Sequence, residues 1–324
     1  MFMLPLFFVH IPKTAGTSFR LGAEKFFYKE GIVYDYGIKS PATTSFVSQF
    51  LYEEPKDFWG FKKACLENNA AMVGGHVNAN RFLSLFGVKN TLTFLRDPLQ
   101  RMASEYSHFV RHYAYKGSFH DFYSRPIMHN RQNKILQGVD IEAIGFLGLT
   151  EHYSQSLEMI NARYSIEIAG RKDNVGRKKS ESSHDVSSED VAEFNRLNKH
   201  DVALYNRASA LFDLRYQMFC EGKAWAHAKL VEAKPGRIAG WAWWEGDCDD
   251  PVEIEVWANG EYLNTVSAIE FRPALCRHLP PRGGYVGFHL PVKLAVGDKV
   301  QCRVASTGQL FPVNPRSVVK PEAK

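Results

Sequence analysis

Cysteine is scarce in this chain of 324 residues: there are five, Cys65, Cys220, Cys248, Cys276 and Cys302, odd in number and widely scattered. They build no disulfide framework and no pair has zinc-ligand spacing, so a reducing compartment and no metal site are expected. Long apolar runs are missing too. Met1–Val9 is apolar, but it lacks a basic flank and is far shorter than the ~20 residues of a membrane-spanning helix. No internal repeat or low-complexity tract is present. A strong charge of one sign is also absent. The net charge of +5 suits anionic ligands, but with no basic stripe interleaved with aromatics it excludes nucleic acid as the expected partner. Two common phosphate-loop signatures are missing. The nucleotide triphosphatase loop needs its lysine after both glycines, whereas here Lys13 precedes the only glycine of the turn, Gly16. The dinucleotide Gly-x-Gly-x-x-Gly pattern is not in this turn either.

What is present begins at Phe8-Val-His-Ile-Pro-Lys-Thr-Ala-Gly-Thr-Ser-Phe19. Leu6–His10 reads as a short buried strand. A Pro-Lys-Thr-Ala-Gly turn follows, then a run with helical spacing at Phe19, Ala23, Phe26 and Phe27. A strand that breaks through such a turn into a helix is an anion-binding device, because the helix start offers unpaired N–H groups and a partial positive charge. Lys13, Thr14, Thr17 and Ser18 add donors at the same point. The ligand expected is a phosphate or sulfate ester.

Further strands and helices read as an α/β domain. Asn90–Arg96 is a strand candidate stopped by Asp97-Pro98, with Pro98 at the first position of a helix over Leu99–His112. Ala71–Val77 is an apolar strand ending in Gly74-Gly75-His76. A histidine at the mouth of an α/β sheet has the right unperturbed pKa for a general base near neutrality. Helices are expected over Phe58–Asn69, Phe119–Arg125, Asn130–Gly138 and His152–Tyr164, and from Ser187, where Asp190 completes a variant capping box. Ala143–Leu149 is another strand candidate. His108 and His112 share a helix face at i, i+4, but no His-Glu-x-x-His pattern accompanies them, so a surface position is expected.

The stretch His10–Phe19 closely resembles the 5′-phosphosulfate loop of the carbohydrate sulfotransferases, Golgi-type enzymes and their bacterial relatives, which use 3′-phosphoadenosine 5′-phosphosulfate (PAPS). Arg96-Asp-Pro-x-x-Arg-x-x-Ser104-x-Tyr matches the same family, with Arg96 and Ser104 eight residues apart. The resemblance implies that Lys13, Thr14, Ala15, Gly16, Thr17 and Ser18 hold the 5′-phosphosulfate and that Arg96 and Ser104 hold the 3′-phosphate. It gives His76, in Gly-His-Val, the role of base toward a sugar hydroxyl. Relatives that sulfate uronic acids at the 2-position often carry a second histidine two residues earlier; here that residue is Gly74. Met128–Asn133 resembles the family's Asp-Asn-Arg-Gln segment, in which Arg131 either faces an acidic sugar or caps a helix. Thr150–Leu157 and Asn198–Phe212 match further family patterns, so the likeness runs from Phe8 to Phe219. The basic run Gly170–Ser180 corresponds to a loop that closes over the nucleotide. Arg177, Lys178 and Ser180 either touch the 3′-phosphate or are solvated.

From His227 to Pro315 the character changes to short alternating runs punctuated by Pro235-Gly236, Asn259-Gly260, Gly283-Gly284 and Gly297-Asp298. Ile254–Leu263 is a hairpin signal around Asn-Gly. This part is similar to a small all-β module appended to bacterial glycan-modifying enzymes, with Gly240-Trp-Ala, Phe271-Arg-Pro and Gly287-Phe as shared marks. Trp241, Trp243, Trp244 and Trp257 either form a sugar-stacking platform or, as preferred here, fill the sandwich core in alternation.

The expectation is therefore a P-loop-like parallel sheet flanked by helices, the sulfotransferase fold, over residues 1–222, a linker over 223–229, and an all-β sandwich with a short tail over 230–324. The function implied is PAPS-dependent O-sulfation of a glycan, poly- or oligosaccharide, with PAP as product, His76 as base, Lys13 stabilising the leaving phosphate and no metal. The alternatives are a non-catalytic binder of nucleotide or sulfated glycan, and a kinase-like phosphotransferase. Eukaryotic relatives carry a membrane anchor and stem that are not seen here. A bacterial cytoplasmic location is expected, with the inner-membrane face where glycans are assembled as a peripheral site.

Overall fold

A computed structural model describes residues 4–170, 188–312 and 316–319. The chain divides into two compact units, one of Met1–Phe86, Asn90–Val139 and Phe146–Ser209, the other of Gly87–Lys89, Asp140–Gly145 and Ala210–Lys324.

The first unit is built on a five-stranded parallel sheet of order β2-β3-β1-β4-β5. Its strands are β1 (Leu6–Val9), β2 (Ile32–Asp35), β3 (Met72–Gly75), β4 (Thr91–Leu95) and β5 (Phe146–Leu149). All their residues are buried, which is why they read as continuous apolar runs rather than as alternation. The connections carry α1 (Gly16–Phe27), α2 (Ser45–Leu51), α3 (Phe58–Glu67), α4 (Leu83–Phe86), α5 (Pro98–Tyr113), α6 (Phe119–Tyr123) and α7 (Arg131–Ile135). After β5 come α8 (Tyr153–Tyr164), α9 (Ser188–Leu197) and α10 (Lys199–Cys220). Phe7, Phe8, Phe19, Phe61, Phe82, Phe86, Phe94 and Phe146 are fully buried against the sheet or its helices.

Local signals explain several boundaries. Asp97 caps α5 by accepting from the Gln100 amide at 2.9 Å, and Pro98 starts the helix. The helix expected over 130–138 is only the five residues of α7, because Asn130 is left-handed (φ 53°) and Gly138 has φ 78°. Strand β2 is not foreseen in the sequence. It has four residues and ends in Asp35, a carboxylate that is fully buried because Arg81 Nε (2.8 Å) and the Tyr52 hydroxyl (2.6 Å) satisfy it. Ser187 lies outside the described residues, and the Asp190 carboxylate accepts from the Tyr123 hydroxyl at 2.9 Å.

The second unit holds β6 (Ala226–Lys234), β7 (Arg237–Trp244), β8 (Glu253–Ala258), β9 (Glu261–Ser267), β10 (Glu270–Phe271), α11 (Pro273–Cys276), β11 (Tyr285–Pro291), β12 (Lys299–Val304) and β13 (Arg316–Ser317). They form two antiparallel sheets, β10-β11-β7-β6 and β13-β12-β8-β9. Ala228, Leu230 and Ile238 of one sheet share a buried core with Ile254, Val256 and Val300 of the other. The β8–β9 hairpin turns at Asn259-Gly260, both with positive φ (52° and 87°), as the sequence signal requires. Trp241 and Trp243 are buried and stacked, with centroids 4.5 Å apart. Alternation puts Ile238, Ala242 and Trp244 on the face toward the core between the sheets, so one member of the run packs there as expected, while Trp241 and Trp243 lie on the other face. Trp257 is half-buried, under the Arg303 guanidinium and beside Tyr262. Among the described residues no helix is long and apolar enough to cross a membrane.

Candidate active site

The parallel register brings the ends of β1, β3 and β4 together, and the loops that leave them line one cleft of about 760 Å³ in the first unit. Pro12, Lys13 and Ala15 come from the loop after β1, Gly16, Thr17 and Ser18 from the start of α1, His76 and Arg96 from just past β3 and β4, and Ser104 from α5. Ligands of open α/β sheets bind at this end of the strands.

The loop after β1 is strained. Lys13 (φ 68°) and Ala15 (φ 61°) are left-handed non-glycine residues, a cost that chains retain where the backbone must aim donors. The first helical bond of α1 is from Phe19 N to Ala15 O, so the amides of Gly16 and Thr17 point out of the helix end. The first turn holds no acidic side chain that would compete for that positive end. Gly16 is obligatory, since a Cβ there would lie 2.1 Å from Cδ2 of His10. Thr14 departs from its expected place. It is buried, its hydroxyl donates to Ile11 O at 2.9 Å, and it does not line the cleft. It closes the turn instead.

His76 emerges from β3 after Gly75, where a Cβ would lie 1.9 Å from Asp35 O of β2. Its ring is accessible to solvent, and its Nδ1 lies 2.9 Å from the carbonyl oxygen of His10. A carbonyl oxygen only accepts, so Nδ1 carries the proton and Nε2 holds a lone pair. Protein packed around the ring lowers its pKa from 6.5; the bond to His10 opposes this, and the Arg131 and Arg20 charges reinforce it. The imidazole is therefore neutral near pH 7, as a base must be.

The ring of His10 is a feature of the cleft that the sequence reading missed. It is buried, packs against the His76 ring with centroids 4.3 Å apart, and pairs through Nδ1 with the Tyr36 hydroxyl at 3.0 Å. Burial, followed by the His76, Arg20 and Lys13 charges, pulls its pKa to about 3. Its only sequence signal was membership of the loop segment itself.

Arg96 stands one residue past β4, with Nη1 3.4 Å from Lys13 O. Its Nε is buried with no hydrogen-bond partner among the described residues, and the same is true of the Tyr153 hydroxyl, also in the cleft. Both residues line the cleft, although these two atoms are themselves enclosed by protein. Lys13, the first amides of α1 and the Arg96 side chain give this end of the cleft the donors and cations that suit an anionic ligand. Ser104 is half-buried on α5 and lines the same cleft as Arg96.

Arg131 does not cap α7; the Asp201 carboxylate does, accepting from the amides of Gln132 (3.2 Å) and Asn133 (2.7 Å). The Arg131 guanidinium pairs with Glu105 at 3.3 Å, and Glu105, which lines the cleft, also pairs with buried Arg101 at 2.5 Å. Two cations around one carboxylate leave a net positive charge beside His76. His108 is not a plain surface residue: it is half-buried and lines the cleft with Phe109 and Tyr113, whereas His112 is exposed. No group of three or more His, Cys, Asp or Glu arranged for a metal occurs among the described residues. Arg177, Lys178 and Ser180 lie outside the described residues.

Comparison with protein-family models, with curated proteins and with solved structures finds no match.

Proposed function

We propose that this protein is a carbohydrate O-sulfotransferase that moves the sulfuryl group of PAPS to a glycan hydroxyl. One observation carries the reading. The loop after β1, a neutral histidine with Nε2 available as acceptor, and the Arg96 side chain all meet in one cleft. Bound PAPS would supply a sulfuryl group activated by its phosphate leaving group. In this reading Lys13 and the first amides of α1 hold the 5′ end and stabilise the charge that develops on the leaving oxygen. Arg96 and Ser104 hold the 3′-phosphate, for which the flat guanidinium fork is matched. His76 Nε2 takes the proton of the acceptor hydroxyl, while its Nδ1–H stays on the His10 carbonyl and fixes the ring. Arg131 and Glu105 set the charge next to that base and so bear on the acceptor.

The test is transfer of labelled sulfate from PAPS to a panel of glycans, followed by mass spectrometry of the product. Sulfated product that depends on PAPS is the expected result. Phosphorylated product that depends on ATP and magnesium would favour phosphotransfer instead, and nucleotide binding without any product would leave a binding protein.

A further inference from the structure

The ladder of β4 ends at Leu95, whose carbonyl accepts from the Thr150 amide at 2.8 Å. Arg96 follows, beyond the last strand pairing, where its own N–H and C=O have no ladder partner. Both are taken by a single side chain. Gln132 Oε1 accepts from Arg96 N at 3.0 Å, and Gln132 Nε2 donates to Arg96 O at 2.8 Å. A primary amide carries the same donor and acceptor as a peptide, so Gln132 acts as one extra rung of the sheet at the residue whose guanidinium enters the cleft.

The rung is itself anchored. Gln132 is fully buried, and its backbone N–H donates to Asp201 Oδ2 at 3.2 Å. Asn130, two residues earlier, donates through its backbone to Asn198 Oδ1 at 3.0 Å and accepts at Oδ1 from the amides of His200 (3.0 Å) and Asp201 (3.1 Å). The start of α7 is thereby fixed to the start of α10 by charge-assisted and amide bonds, in a buried setting where such networks are strong. Gln132 does not line the cleft. Anything it does for a ligand passes through Arg96.

We propose that Gln132 is a positioning residue that sets selectivity for nucleotides bearing a 3′-phosphate, by locking the backbone of Arg96 at the end of β4. This rests on the donor-site reading above, in which Arg96 meets that phosphate. The cost of losing the rung is felt in one discriminating contact rather than in overall affinity.

The experiment is calorimetric titration of the full chain with adenosine 3′,5′-bisphosphate and with adenosine 5′-monophosphate. Gln132→Met keeps length and shape without the amide; Gln132→Glu keeps the acceptor and loses the donor. Both should weaken bisphosphate binding by about tenfold, while monophosphate binding stays within twofold. Either variant suffices if the other fails to fold, as read by thermal denaturation. With Arg96→Ala already present, adding Gln132→Met should change bisphosphate affinity no further, since both act through one contact. Equal loss of both nucleotides, an unchanged preference, or additive effects in the double variant would overturn the role of Gln132 and leave the donor-site reading intact. A parent protein that shows no preference for the bisphosphate overturns the donor-site reading, and the role of Gln132 with it.

Discussion

At the scale of single residues the cleft turns on two imidazoles with different tasks. His76 has its Nδ1 proton committed to a carbonyl and its pKa held below 6.5, chiefly by partial desolvation from the protein around its ring. Its basic form therefore persists as pH falls through 6.5. On the proposed function, the acid limb of kcat/KM for sulfate transfer should have its midpoint below pH 6.5, and His76→Ala should abolish transfer while bisphosphate affinity stays within about threefold. A midpoint above 7, or a substantially active variant, would remove His76 from the mechanism. His10 contributes to stability instead. Its pKa falls from 6.5 to about 3 on folding, so the unfolded chain binds the extra proton. The stability it contributes is full above pH 6.5 and is lost as pH falls toward 3. Between pH 7.5 and pH 5 this one group should cost about 2 kcal/mol, and His10→Asn should lose that much less over the same range in urea titrations. Equal pH dependence of the two proteins would contradict the burial argument.

At the scale of elements, the site exists because β1, β3 and β4 end at the same level. Their register is fixed by sterics as well as by hydrogen bonds. At Gly75 the β2 backbone leaves no room for a side chain, with Asp35 O 1.9 Å from a built Cβ. Gly75→Ala should therefore destabilise the fold by about 3 kcal/mol through a clash with backbone that cannot rotate away. Gly74→Ala meets only contacts of 3.5 Å and should be much milder. Denaturant midpoints of the two variants check this, and equal midpoints would refute it. The elements also show where reading by pattern stops. The strand–turn–helix of β1 and α1 and the Asp-Pro start of α5 are local events, governed by apolar runs and caps within a few residues, and they are legible. Strand β2 is not, because its buried Asp35 needs Tyr52 and Arg81, which lie far along the chain.

At the scale of the whole molecule, two compact units divide the chain and the whole candidate site lies in the first. A ligand that binds only the native first unit stabilises it by mass action. Adenosine 3′,5′-bisphosphate at a hundred times its Kd should add about 2.7 kcal/mol to the unfolding free energy of that unit. Differential scanning calorimetry would register the shift, and an unchanged trace at saturating nucleotide would speak against a native site.

The amino-acid order by itself determined the strand–turn–helix of β1 and α1, the eight-residue step from Arg96 to Ser104, the glycine-ended strand before His76 and the Asn-Gly hairpin of the second unit. Each depends on backbone preferences that neighbouring residues impose. Only the tertiary structure decided that the Thr14 hydroxyl turns inward, that the His10 carbonyl sets the tautomer of His76, that Arg131 meets Glu105, and that the Gln132 amide completes the backbone of Arg96. The physical reason is distance along the chain. Gln132 stands 36 residues from Arg96 and His76 stands 66 from His10, so strand register and helix placement, which no local pattern encodes, choose the partners.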